Sequence, residues 1–127
     1  MALFALSDPH LGFSSSKPMD VFGPRWHNHT ERMETNWRAV VSPEDTVLIG
    51  GDISWAMQLQ DALPDLRFID SLPGKKILLR GNHDYWWTSL SKLQQLTTEY
   101  KLTTLSFLRN NAFRVGTDLV CGTRGWL

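Results

Sequence analysis

Apolar residues fall in short runs along this chain, and the early runs each stop at a polar cluster. Leu3 to Leu6 ends in Ser7-Asp8-Pro9-His10, Thr46 to Ile49 ends at Gly50-Gly51-Asp52, and Lys75 to Arg80 ends at Gly81-Asn82-His83-Asp84. Runs this short, bounded by Gly, Pro and polar residues, read as buried strands. Between them the spacing changes to that of helices. Met33, Trp37, Val40 and Val41 form one stripe, Leu59, Leu63, Leu66 and Ile69 a second, and Leu90, Leu93 and Leu96 a third. Pro64 interrupts the second stripe and predicts a kink or the start of a new helix there. Gly12 to Arg25, with three serines, two glycines and two prolines, reads as a long loop. After the third helix the texture shifts again. Thr103 to Leu108, Ala112 to Val115 and Leu119 to Cys121, separated by Asn110-Asn111 and Gly116-Thr117-Asp118, predict a closing antiparallel meander.

Strand, helix, strand, helix, strand, helix is the order of an α/β layered sheet. Its βαβ units carry helices on the outside. Ligands of such sheets lie beyond the carboxyl ends of parallel strands. Asp8 and His10, Asp52, and Asn82 to Asp84 all fall at those ends, so the topology itself would bring them to one edge.

Composition narrows the classes of function. A chain of 127 residues is one domain with one core. Thirteen basic residues balance thirteen acidic ones, and there is no basic run, so bulk charge selects neither nucleic acid nor an anionic membrane. Cys121 is the only cysteine, which excludes an intrachain disulfide and suits a reducing compartment. The start, MALFALSDPHLGF, reads as neither a signal peptide nor a membrane span, because Asp8 breaks its apolar run and no basic residue precedes it. A cytoplasmic location is the expectation.

The polar clusters supply the chemistry. Carboxylate and amide oxygens suit hard divalent cations, and imidazole nitrogen extends the set to borderline metals. Asp8, His10, Asp52 and Asn82 make such a mixed set, and no cysteine stands among them as a structural zinc of the finger type would need. Asp52, in the middle cluster, is placed to bridge two cations. Glycines at 50, 51 and 81 let backbone and metal approach closely. Two cations about 3.5–4 Å apart suit in-line displacement at phosphorus.

Asp8-Pro9-His10, Gly51-Asp52 and Gly81-Asn82-His83-Asp84 resemble the first three motifs of the calcineurin-like metallophosphoesterases, over roughly residues 2 to 87. The resemblance implies the amino-terminal half of an αββα sandwich. It also implies hydrolysis of a phosphomonoester or phosphodiester by a metal-bound hydroxide. Two divalent ions are implied, drawn from manganese, iron, zinc, nickel or magnesium. Asp8 and His10 would bind the first metal, Asp52 would bridge, and Asn82 would bind the second. His83 would contact the phosphate and protonate the leaving oxygen, with Asp84 orienting its ring.

The family pattern continues with an isolated His and a G-H-x-H motif, and beyond His83 this chain has no histidine. The expectation is therefore a phosphoesterase domain over residues 1–127 that is incomplete at its carboxyl end. Such a chain is expected to self-associate or to pair with a missing half. The alternative is a non-catalytic scaffold of the same fold. His27-Asn28-His29 has ligand chemistry but precedes the second motif, so a solvated loop or helix start capped by Thr30 is the plainer reading. Trp55, Trp86 and Trp87 flank the motifs as pocket wall or core, with stacking on substrate the sharper option. Arg124, between two glycines, is either a phosphate contact or a solvated turn.

Overall fold

A computed structural model describes residues 1–15 and 18–127, so positions 16 and 17 of the expected Gly12–Arg25 loop lie outside the described residues. Four parallel strands form the main sheet in the order of the chain: β1 (Leu3–Leu6), β2 (Thr46–Ile49), β3 (Lys75–Leu79) and β4 (Leu105–Leu108). The crossovers carry α1 (His29–Val40), α2 (Leu59–Ser71) and α3 (Leu90–Glu99). Register pairs Ile49 with Leu6 on one side and Leu78 on the other, so the ends of β1, β2 and β3 stand level.

Alternation along the strands decides what each face meets. Val47, Ile49, Leu78, Leu105 and Phe107 join Trp37, Ala62, Leu63, Leu66, Ile69, Leu93 and Leu96 in one buried cluster. Each large side chain buried this way stabilises the fold by about 1.5–3 kcal/mol. The opposite face presents Ile77 and Leu108 to a hairpin of β5 (Asn111–Val115) and β6 (Asp118–Gly122), with Val115 buried between them. Leu3 and Ala5 of β1 remain exposed on that face.

Three expectations need correction. The run ending at Leu108 is not the first strand of a meander; it pairs parallel to β3, and only β5 and β6 are antiparallel. It is an edge strand covered on both faces, with Leu105 and Phe107 under the helices and Leu108 under the hairpin. Pro64 starts no new helix, because α2 runs through it as one element. The carbonyl that loses its donor belongs to Gln60, which is exposed and so open to water. The Gly12–Arg25 stretch contains two short 3₁₀ turns, Met19–Phe22 and Pro24–Trp26, divided by Gly23 at φ 128°.

Lys76 is wholly buried on the helix-facing side of β3. Its ammonium donates to the carbonyls of Leu72 and, at 3.2 Å, Asp70, and to Thr104 Oγ1 at 3.0 Å, closing the end of α2. Burial pushes it down from 10.5 to about 8, against the attraction of Asp70 and with help from Arg38. Between those values the unfolded chain holds a proton that the folded chain sheds. Stability from this group therefore rises from pH 8 to 10.5, by up to about 3 kcal/mol. Urea unfolding at both ends of that window is expected to show the rise in the wild type and not in Lys76→Met. Parallel pH curves for the two proteins would contradict it.

Candidate metal centre

Beyond the ends of β1 and β2 the two backbones keep pairing. Asp8 donates to the Gly51 carbonyl at 3.0 Å, His10 to that of Asp52 at 3.0 Å, and Leu11 to that of Ile53 at 2.9 Å. Within this paired loop Asp8, His10 and Asp52 hold left-handed backbones, at φ 60°, 46° and 50°. Asp and His tolerate that region better than most residues, yet each instance costs roughly 1–2 kcal/mol. Strain of this kind persists where surrounding structure enforces it, and it concentrates at functional sites. Here it brings a carboxylate oxygen of Asp8, a ring nitrogen of His10 and a carboxylate oxygen of Asp52 within 4.8 Å of one another.

The third loop joins them through glycine. A Cβ on Gly81 would stand 2.2 Å from both the amide nitrogen and Oδ1 of Asp52, and one on Gly51 would stand 2.6 Å from the Gly81 nitrogen. Only glycine lets the loops after β2 and β3 touch in this way. The contact delivers His83 to Asp52: its N–H donates to Oδ1 at 2.9 Å, and its ring Nδ1 lies 3.1 Å from Oδ2. A ring nitrogen facing a carboxylate carries the hydrogen, which leaves Nε2 free.

Electrostatics sort the charges. Burial pushes the Asp52 carboxyl up, but the N–H and ring of His83 lead the opposing interactions that hold it below its ordinary value. Burial holds His10 below its ordinary value against the pull of Asp52 and Asp8, which favours the neutral, ligating imidazole. That ring is fixed by stacking on Trp55 at 5.1 Å and by the edge of Trp26 at 5.7 Å. One neutral nitrogen among anionic oxygens is a donor set that fits a divalent cation.

Asp8, His10, Asp52 and His83 thus converge, and Asn82 stands exposed on the loop between Gly81 and His83. In this structure the His83 ring lies against Asp52, and Asp84 makes other contacts. The Asp84 carboxylate is fully buried, and Oδ1 accepts from Ile53 N at 2.8 Å, Ser54 N at 3.2 Å and Trp86 Nε1 at 3.0 Å. Its Oδ2 accepts from Gly81 N at 2.7 Å. Burial pushes its carboxyl up, and these four donors work against that shift. The reason for the different partner is geometric: a side chain turned inward to meet backbone N–H groups cannot also reach a ring turned toward solvent.

The other singled-out residues divide similarly. His29 Nε2 lies 3.0 Å from the Pro9 carbonyl and fastens α1 to the first loop, whereas exposed His27 pairs with Asp20 at 3.3 Å. Thr30 lies inside α1, and Asn28 occupies the cap position without a capping side-chain bond. Trp86 and Trp87 are buried core residues, which removes them as stacking platforms for a ligand. Trp55 packs against the rings of both His10 and His83, and its Nε1 reaches Met19 Sδ at 3.2 Å. Sequence reasoning missed Ser54 and Asp65. Asp65, buried on α2, accepts from the Ser54 hydroxyl and from Phe13 N at 2.9 Å, tying both metal loops to one helix. An acid set between Leu63 and Leu66 in an apolar stripe was its only signal.

Paired strand ends bring together a three-residue cluster that could hold a metal ion, with a histidine hydrogen-bonded to one of its carboxylates. The calcineurin-like phosphoesterase family matches residues 1–125, and the chain belongs to it. It is 33% identical over 78 residues to the gene 66 protein of Mycobacterium phage L5, an overlap of 61% of this chain and 37% of the phage protein. A solved protein of unknown function from Aquifex aeolicus superposes with a TM-score of 0.58 at 23% identity, over 94% of this chain and 58% of that one, a likeness of fold. The chain thus spans less than two thirds of the length of either relative. Among the described residues no helix is long and apolar enough to cross a membrane.

Proposed function

We propose that this chain carries the first part of a two-metal site that hydrolyses a phosphomonoester or phosphodiester. Asp8 and His10 would hold one cation, Asp52 would be shared, and Asn82 would serve the second. The observation that carries this reading is the convergence of Asp8, His10 and Asp52 within 4.8 Å. Bound cations supply an acidic water near neutral pH and a positive grip on phosphoryl oxygens.

The chain's own groups do the rest. His10, neutral and stacked on Trp55, offers a lone pair that needs no deprotonation. Asp52 stays ionised because His83 donates to it twice, so it keeps charge for a cation while fixing the ring beside it. His83 would protonate the leaving oxygen in its imidazolium form, which carries a proton on Nε2 as well as the Nδ1 proton held by Asp52. Asp84 acts through backbone position rather than through that ring.

Hydrolysis of p-nitrophenyl phosphate and bis(p-nitrophenyl) phosphate with manganese tests the reading. His83→Ala is expected to lower turnover by about 10²–10⁴-fold while leaving manganese affinity within a few-fold of wild type. The second reading, a non-catalytic scaffold, draws on the chain having no histidine beyond His83. It predicts protein that binds manganese and turns over neither ester even in a longer chain that supplies the histidines the family pattern places after Asp84.

A further inference from the structure

We propose that Arg80, Arg109 and Arg124 form a binding site for a phosphate-class dianion, separate from the Asp8–His10–Asp52 cluster and formed without any metal. Strand register builds it. Leu79 pairs with Leu108, so Arg80 and Arg109 leave adjacent parallel strands side by side. The segment after β6 returns to the same edge because Asn110 N donates to the Gly122 carbonyl at 2.9 Å. Together with Asn110 and Thr123, the three arginines line a cavity of about 230 Å³.

Nothing within the described residues neutralises this group. No carboxylate lies within 4.0 Å of any of the three guanidinium groups, although the chain as a whole is balanced. Arg80 Nε is buried and has no hydrogen-bond partner. Trp126 contacts two of the charges. Its indole N–H donates to the Arg80 carbonyl at 3.1 Å, and its ring lies 5.4 Å from the Arg80 guanidinium and 4.6 Å from that of Arg124. A ring face attracts cations but accepts no in-plane N–H bonds. Like charges held together around a concave, partly enclosed space raise the local potential and favour an anion. Guanidinium forks match a tetrahedral oxyanion, because each offers paired N–H groups to paired oxygens. A dianion with several oxygens answers three forks better than a carboxylate does.

The test uses the whole chain in EDTA at constant ionic strength, so that no metal site takes part. Inorganic phosphate, and separately acetate, is titrated while following the amide resonances of Asn110, Thr123 and Arg124 and the indole N–H resonance of Trp126. Phosphate is expected to give saturable shifts at these amides. Arg109→Gln and Arg124→Gln, at exposed positions, are each expected to weaken binding at least tenfold. Arg124→Lys, which keeps the charge and loses the fork, should fall between wild type and Arg124→Gln. Absence of saturation by about 10 mM phosphate, an unchanged curve in folded Arg109→Gln/Arg124→Gln, or an equal response to acetate would overturn the proposal.

Discussion

Replacing Asp84 with Ala is expected to lower the free energy of unfolding by at least about 3 kcal/mol, a large share of a small domain's stability, since each orphaned donor costs about 1–3 kcal/mol. The carboxylate is wholly buried and accepts from four N–H donors supplied by Ile53, Ser54, Gly81 and Trp86. Truncation strands all four away from water, and each orphaned donor carries its own desolvation penalty. The nearly isosteric Asp84→Asn separates charge from shape. Its NH₂ must take the place of Oδ2, where it meets the Gly81 N–H donor to donor, or of Oδ1, where it meets three donors. A loss of roughly 1–3 kcal/mol is expected for Asn, smaller than for Ala and still measurable by urea denaturation. Because Gly81 and Ile53 flank Asn82 and Asp52, both variants should also loosen the metal loops. Losses below about 0.5 kcal/mol for Ala, the scale of ordinary surface substitutions, would contradict this role.

The sheet was legible because its signals are local and repeated. Leu3 to Leu6, Thr46 to Ile49 and Lys75 to Leu79 are apolar runs closed by polar residues, and the stripes of α1 to α3 have helical spacing. Register then carried Asp8, His10 and Asp52 to one edge, as a parallel sheet demands. What the sequence hid depends on partners distant along the chain. β4 reads like any short strand until its two neighbouring layers are known. Lys76 reads as the polar start of a strand, and only folding sets its amine against Asp70, Leu72 and Thr104. Asp84 and His83 are consecutive, yet one turns inward to backbone N–H groups and the other outward to Asp52. Motif spacing gives no sign of that division. Left-handed backbones at Asp8, His10 and Asp52 were equally invisible, because residue type permits that conformation without requiring it.

Manganese affinity in wild type and in Asp8→Asn tests the central claim, that the three loops meet to share a cation. Asp8 suits the comparison because it is exposed and its ionic partner, His10, is 3.8 Å away. Asn is also at ease at φ 60°. The metal-free fold should therefore melt at the same temperature in both proteins. Wild type is expected to bind manganese and to gain about 2.7 kcal/mol of stability at a hundredfold excess over Kd. Asp8→Asn should bind at least tenfold more weakly, because a charged ligand is gone and no other carboxylate of the cluster replaces it. Calorimetric titration at fixed pH gives the answer directly: a tenfold or greater loss in Asp8→Asn agrees with a shared cation, and equal affinity in the two proteins contradicts it.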